Sequence, residues 1–192
     1  TGLISLGSAV RIRPSLPNKM IITKTPYRIS FFGGGSDYPS WYNENEGKVI
    51  STTIDKYLYI SCRYLPNFFN HKYRIAWSKI EETKKISQIK HNAVRAILKY
   101  LNCKKGLEIH YDGDLPARSG MGSSSCFVVG LLKAIYELEK KKVNENFLAK
   151  KSIFLEQKIM KEVVGSQDQV AASFGGFNKI IFKKDSFKIK KI

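Results

Sequence analysis

From residue 20 onward, apolar and polar positions alternate first at the period of strands and later at the period of helices. Residues 20–24 and 27–32 are rich in β-branched and aromatic side chains and read as strand, interrupted or bulged at Pro26. Residues 48–54 and 56–64 alternate well enough for two antiparallel strands with a tight turn near Asp55, and residues 73–77 suggest another. The period then changes. Ile89, Ala93, Val94, Ile97, Leu98 and Leu101 share one helical face across residues 88–101. Residues 107–111 return to strand alternation. Phe127, Val128, Leu131, Leu132, Ile135 and Leu138 recur at three- and four-residue steps, which predicts an amphipathic helix starting between residues 122 and 124. A further helix is expected from a cap at Asn144 to about Glu162. A small-residue helical turn at Ala171 and Ala172, a break at Gly175 and Gly176, and closing strands at residues 178–182 and 187–190 complete the pattern.

The breaks between these elements carry the candidate chemistry. Residues 115–125 read Leu-Pro-Ala-Arg-Ser-Gly-Met-Gly-Ser-Ser-Ser and run straight into the helix with the Phe127 to Leu138 face. Gly120 and Gly122 can adopt backbone angles closed to other residues and leave no side chain between main-chain N–H groups and a ligand. The loop also ends at a helix N-terminus, where unpaired N–H groups and the positive end of the dipole favour an anion. Two readings stand here: a phosphate cradle, with serine hydroxyls available to phosphate oxygens or Mg²⁺, or a turn whose serines merely cap the helix. The stretch is neither the Gly-Lys-Ser/Thr phosphate loop nor the Gly-x-Gly-x-x-Gly dinucleotide fingerprint. A second break, Gly33, Gly34 and Gly35 followed by Ser36, Asp37 and Tyr38, lets backbone press against a ligand. Asp37 there either offers an acceptor pair to sugar hydroxyls or closes an Asx turn.

Composition narrows the setting. A chain of 192 residues with 43% apolar content can bury one sizeable core. Residues 1–19 lack periodicity, contain Pro14 and Pro17 and precede Met20, so they read as an expression leader outside the fold. No apolar run approaches the length of a membrane span and no signal peptide is recognisable, so a soluble cytoplasmic protein with no membrane partner is expected. Cys62, Cys103 and Cys126 are odd in number and widely spaced, which indicates neither a disulfide framework nor a zinc site. The net charge of +17 raises the question of nucleic acid. Lysines are scattered, however, apart from the end of the chain, where residues 179–192 hold six lysines against Asp185 alone. No arginine strip interleaved with aromatics is present, so basic background is the better account.

Three separated stretches together resemble the GHMP small-molecule kinases, the family named for galactokinase, homoserine, mevalonate and phosphomevalonate kinases. Thr25-Pro-Tyr-Arg-Ile-Ser-Phe-Phe-Gly-Gly-Gly-Ser-Asp-Tyr38 is similar to the motif that lies against the acceptor substrate. Residues 115–125 are similar to the nucleotide phosphate loop, and Gly165-Ser-Gln-Asp168-Gln to the segment carrying the catalytic aspartate. Galactokinase-type members place an acidic residue and a histidine where this chain has Gly34 and Gly35, which disfavours galactose. The glycine triplet, Ser-Thr-Thr-Ile-Asp-Lys-Tyr at 51–57, Arg63-Tyr-Leu-Pro66 and the two later motifs most resemble the D-glycero-D-manno-heptose 7-phosphate kinases of the family.

That resemblance implies a two-layer α+β fold of the ribosomal protein S5 domain 2-like type over residues 20–192. It implies transfer of the γ-phosphoryl group of ATP to the anomeric hydroxyl of a heptose 7-phosphate, giving a 1,7-bisphosphate for nucleotide-activated heptose and surface polysaccharide. A kinase for another sugar such as fucose, or a basic nucleic-acid-binding module of the same fold, is the alternative. By resemblance, Pro116, Ser119, Gly120, Met121, Gly122, Ser123, Ser124 and Ser125 would bind ATP. Ser124 and Glu156 would hold Mg²⁺. Gly33, Gly34, Gly35, Ser36, Asp37 and Tyr38 would bind the sugar. Asp168 would orient or deprotonate the attacking hydroxyl, with Arg28 beside it keeping the carboxylate ionised. Arg63, Lys72, Arg74 and Arg118 are candidates for the sugar's own phosphate, and His71, His91 and His110 have no metal-ligand spacing and read as structural. Family members continue into a second α+β half with a third glycine-rich motif. With that half absent, weak or no turnover is expected, and so is self-association through the surface it would cover.

Overall fold

The structure, a computed structural model, describes residues 11–13, 20–116 and 119–192. Its spine is β3 (Gly47–Tyr64), an 18-residue strand. β2 (Met20–Phe32) runs antiparallel along one edge of it, with Met20 opposite Arg63 and Phe32 opposite Ile50. The other edge is shared between two strands. β7 (Phe177–Lys183) pairs with residues 47–52 and β6 (Leu107–Gly113) with residues 58–64, both antiparallel. Beyond β6 lies β4 (Tyr73–Ala76), parallel to it, then β5 (Ile80–Thr83); beyond β7 lies β8 (Ser186–Lys191). β1 (Arg11–Arg13) pairs with the outer edge of β2, so part of the stretch read as a leader is in the sheet. The rest of residues 1–19 lies outside the described residues.

The turn expected near Asp55 does not form. Pro26 faces Tyr57 and Arg28 faces Thr53, so Ile54, Asp55 and Lys56 stand opposite Tyr27 alone. The two polar residues are absorbed as a bulge because β2 supplies partners on either side of them. Such a bulge bends the strand and re-aims the neighbouring side chain, and here that neighbour is Arg28. Pro26, which cannot donate to a ladder, is tolerated at the same irregularity.

One face of the sheet is covered by helices. α3 (Ser123–Leu138) packs on β2 and β3, with α2 (Asn92–Tyr100), α4 (Glu145–Phe154) and α5 (Gln167–Phe174) around it. Every residue of α3 is buried except Ser123, Ser124, Tyr136 and Glu137. It is thus a central helix, apolar nearly all round, rather than the one-faced helix the spacing suggested. Its approach to the sheet is close at Gly130, whose carbonyl accepts from Thr23 Oγ1 at 3.2 Å. A β-carbon at Gly130 would lie 2.8 Å from Thr25 Oγ1. Alternate residues of β3 and β6, such as Ser61, Arg63 and His110, occupy the uncovered face opposite Ile60, Cys62 and Ile109.

The helix expected to reach Glu162 is shorter. α4 begins as predicted, with the Asn144 side chain accepting from the Phe147 N–H at 2.8 Å. It ends at Phe154 and passes into a wide π turn, Leu155–Ile159. One extra residue per turn shifts the phase of the side chains, and such turns concentrate at functional sites. Here the turn carries Glu156 inward, where it is 0% exposed. A short α1 (Pro39–Tyr42) follows the glycine triplet. Among the described residues no helix is long and apolar enough to cross a membrane.

Candidate active site

The start of α3 bears on the two readings of the glycine-serine loop. Gly120 and Gly122 have φ of 76° and 80°, a region that favours glycine. Gly122 is the N-cap residue and no side chain caps the helix, so Ser123, Ser124 and Ser125 are its first three residues rather than its caps. The N–H groups of a first turn have no partner within the helix. In α3 they are backed by a helix 16 residues long. Pro116, Ser119 and Gly120 are exposed on the loop ahead of them, while Ala117 and Arg118 lie outside the described residues. Ser123 and Ser124 also rim a cavity of about 400 Å³ walled by Tyr27, His91, Tyr111 and Phe127. His91 and Phe127 are stacked with centroids 4.8 Å apart, and Tyr111 meets Phe127 edge-on at 4.9 Å. His91 also caps α2, its Nδ1 accepting from the Val94 N–H at 3.4 Å, and burial lowers its pKa. Periodicity marked these aromatics only as core or structural positions, because the cavity forms from five separate elements, β2, β3, β6, α2 with its cap, and α3.

The loop is held by Arg28. Its NH1 donates to the Gly120 carbonyl at 2.9 Å, and its backbone N–H donates to the Met121 carbonyl at 3.3 Å. The same guanidinium donates from Nε to Asp168 Oδ1 at 2.7 Å, with NH2 2.6 Å from that oxygen. Asp168 lies in the first turn of α5 and packs against Gly122, where a β-carbon would come 3.1 Å from Oδ2. The structure therefore brings together Gly122, Arg28 and Asp168. Burial raises the pKa of Asp168, and the Arg28 charge and hydrogen bond pull it down only in part, with Asp37 adding to the rise. Arg28 thus favours the ionised carboxylate, as expected, while burial and Asp37 oppose it.

Glu156 sits beneath the same helix start. Its two carboxylate oxygens accept from Ser125 Oγ at 3.1 and 3.0 Å, and Oε2 also accepts from Gln169 Nε2. Burial raises its pKa to about 7 against the lowering effect of those two hydrogen bonds. The hydroxyl that meets Glu156 is thus Ser125's, whereas Ser124 is exposed on the cavity rim. One residue along a helix is about 100° of rotation, so neighbouring serines serve different sides of the helix. The fit to a hard cation rests on oxygen donors: the Glu156 carboxylate, the Ser125 hydroxyl and Gln169 Oε1, a buried oxygen without a hydrogen-bond partner. Among the described residues no cluster of three or more His, Cys, Asp or Glu exists to hold a metal unaided.

The glycine triplet lies against α5 as well. Asp37 Oδ2 accepts from the Gln167 N–H at 3.0 Å, Oδ1 from the Gly35 N–H at 3.1 Å, and its carbonyl from the Ser166 N–H at 2.9 Å. Asp37 is 0% exposed, which corrects its assignment as a sugar-binding carboxylate. Both oxygens are spent on backbone amides, and the residue ties the loop to the helix that carries Asp168. Gly33, Gly34 and Gly35 remain exposed, with Ser36 and Tyr38 partly so. Arg63 and Arg74, two of the cations considered for a sugar phosphate, are bound elsewhere. Both pair with Glu108 on the uncovered face of the sheet, at 2.5 and 2.8 Å.

Comparison with known proteins gives the family. Residues 87–176 match the family model described as the GHMP kinases N terminal domain. The chain is 31% identical over 175 residues to D-glycero-alpha-D-manno-heptose 7-phosphate kinase of Campylobacter jejuni, covering 85% of this chain and 51% of that protein. It is 28% identical to the galactokinase of Pyrococcus furiosus, covering 84% of this chain and 46% of that one. The chain thus spans about half the length of the curated relatives it matches. A D-glycero-D-manno-heptose 1-phosphate kinase from Bacteriodes thetaiotaomicron superposes with a TM-score of 0.78 at 25% identity, over 89% of this chain and 59% of that one. Fold, motif order and matched residues converge, and the chain carries a GHMP kinase N-terminal domain.

Proposed function

We propose that this chain is the nucleotide-binding and catalytic-aspartate portion of an ATP-dependent sugar kinase acting on the anomeric hydroxyl of a heptose 7-phosphate. The observation that carries the reading is the contact of Asp168 with Gly122 and Arg28, which sets a carboxylate at the mouth of an uncapped helix. The heptose phosphate kinases among its relatives support the substrate class, and the side-chain-free glycines at positions 34 and 35 argue against galactose.

In this mechanism the adenosine part of ATP occupies the cavity walled by His91, Tyr111 and Phe127. Its phosphates lie on the N–H groups at the start of α3, where donors and dipole act on developing negative charge. The acceptor sugar rests on Gly33 to Gly35, whose bare backbone admits close approach. The sugar oxygen forms its bond to the γ-phosphorus as the bond from that phosphorus to the bridging oxygen of ADP breaks. Asp168 accepts the hydrogen bond of the attacking hydroxyl and takes its proton. Arg28 fixes the position of Asp168 and, through Gly120, of the phosphate loop. Mg²⁺, when bound, neutralises phosphate charge. Glu156 and Ser125 would hold it, with Ser124 exposed at the same turn on the nucleotide side.

A coupled assay of ADP release with heptose 7-phosphate, run alongside galactose and fucose on a chain extended to the length of its relatives, tests the reading. Phosphorylation of the heptose phosphate alone supports it. Preference for an unphosphorylated sugar overturns the substrate, and absence of any MgATP-dependent thermal shift overturns the kinase itself.

A further inference from the structure

At the end of β3 away from the phosphate loop lies a second concave site. A cavity of about 670 Å³ is lined there by Lys72, Lys84, Lys104 and Lys105 together with Tyr64 and Phe69. Arg28 pairs with Thr53 and the cavity begins at Tyr64, so roughly 35 Å of strand separates the two regions at about 3.3 Å per residue. None of the residues lining this cavity is an aspartate or glutamate. Among the described residues the lysines of the cavity form no ion pair, whereas the neighbouring Arg63 and Arg74 are answered by Glu108 and Glu82, and His71 of the lining stands 3.4 Å from Glu82. The lysine charge of the cavity is therefore unanswered, while the arginine charge beside it is neutralised.

The cavity is also built rather than incidental. Three chain segments form it, and backbone hydrogen bonds lock them together: Leu65 N–H to Gly106 O at 2.9 Å, Lys72 N–H to Thr83 O at 2.9 Å, and Leu107 N–H to Lys72 O at 3.0 Å. Gly106 is where they touch, since a β-carbon there would lie 2.5 Å from the Lys72 carbonyl. Lys105 Nζ stands 4.7 Å above the Tyr64 ring, which holds one ammonium at the wall. Phe69 packs on Phe68 and on His71, with centroids 4.5 and 5.3 Å away, and forms the opposite wall.

We propose that this cavity is a second anion site, taking a small molecule that bears several phosphate groups. Four lysines line one concavity, more charge than a single phosphate balances, and the volume matches a nucleotide-sized or sugar-phosphate-sized ligand. A concavity of this limited extent suits such a ligand better than a nucleic-acid strand, which needs a continuous track of charge and stacking faces. The site is independent of phosphoryl transfer at Asp168 and stands or falls separately from it.

Titration of the full chain with tripolyphosphate, followed by amide ¹H–¹⁵N spectra, tests the proposal. Saturable shifts are expected at residues 67–72 and 104–106, distinct from any at residues 120–125. In the exposed double variant Lys84→Ala/Lys104→Ala the affinity read at residues 67–72 should weaken about tenfold or more, with residues 120–125 unaffected, and in the parent chain it should fall steeply with added salt. Shifts confined to residues 120–125, or unchanged affinity in the double variant, overturn it. So does a single-stranded oligonucleotide that occupies the same residues more tightly than tripolyphosphate, which would make this a nucleic-acid groove.

Discussion

Arg28 and Asp168 are 140 positions apart in sequence and 2.7 Å apart in space, Nε to Oδ1, with the same guanidinium also gripping the Gly120 carbonyl. One side chain thus sets both the glycine-serine loop and the carboxylate that faces it. The two partners should therefore fail differently. Asp168→Asn keeps the shape and removes proton acceptance, so phosphoryl transfer is expected to fall by about 10²-fold or more, while the MgATP-dependent thermal shift stays. Arg28→Ala releases the loop as well, so both kcat and the KM for ATP should suffer. Steady-state kinetics on both variants in a chain extended to the length of its relatives, with the thermal shift alongside, separates the roles.

Glu156 makes stability depend on pH in a direction opposite to that of an ion-paired carboxylate. Its pKa is raised to about 7 by burial, so the folded state holds a proton that the unfolded chain releases near the ordinary value of 4.5. Between those two values the folded chain binds more protons, and stability falls as pH rises through the window. The stability lost by pH 8 is on the order of 3 kcal/mol at most. The melting temperature should drop across this range, and Glu156→Gln should flatten the profile. Without a metal the variant should be the more stable protein at pH 8, and it should bind Mg²⁺ more weakly.

Asp37 makes a stability prediction about glycines. A β-carbon at Gly165 would lie 2.0 Å from Asp37 Oδ2, whereas one at Gly35 meets nothing within 4 Å. Gly165→Ala must push apart the buried contact between the glycine triplet and α5, at a cost of roughly 3 kcal/mol. Gly35→Ala has only its φ of +94° to resist it, which costs about 1 kcal/mol. Urea denaturation of the two variants should rank them in that order.

The aromatic cavity beside Ser123 and Ser124 predicts a binding defect without a chemical one. Tyr111 is half-buried in its wall and meets Phe127 at 4.9 Å. Tyr111→Ala removes one face of the enclosure, and loss of aromatic contact to a base is worth about 1–3 kcal/mol. Affinity for MgATP, measured by calorimetry, should weaken about tenfold or more. Affinity for tripolyphosphate at residues 120–125, which needs no base pocket, should stay.

Much of this site is local, and local features were legible. Gly120 and Gly122 need positive φ, and Phe127 to Leu138 need a helix behind them, so the helix start followed from residues within one turn of each other. Asn144 named the beginning of α4 for the same reason. Its end was misread, because a π turn at Leu155 keeps the apolar spacing while changing the phase. The turn expected at Asp55 was misread because pairing along β2 outweighs two polar residues in a strand that has partners on both sides.

The order and residue types of the glycine triplet, the glycine-serine loop and the Asp168 segment were written in the chain, because each depends on backbone conformations that only a few neighbouring residues permit. Which groups those segments bring together was decided by packing. Ser125 rather than Ser124 meets Glu156, and Asp37 turns from ligand candidate into buried tie. Arg63 and Arg74 point to the uncovered face and leave the site to Arg28. Each of these outcomes turns on the rotational phase of a helix or strand against a partner distant in sequence. Bulges and wide turns reset that phase, and a local pattern carries no record of it.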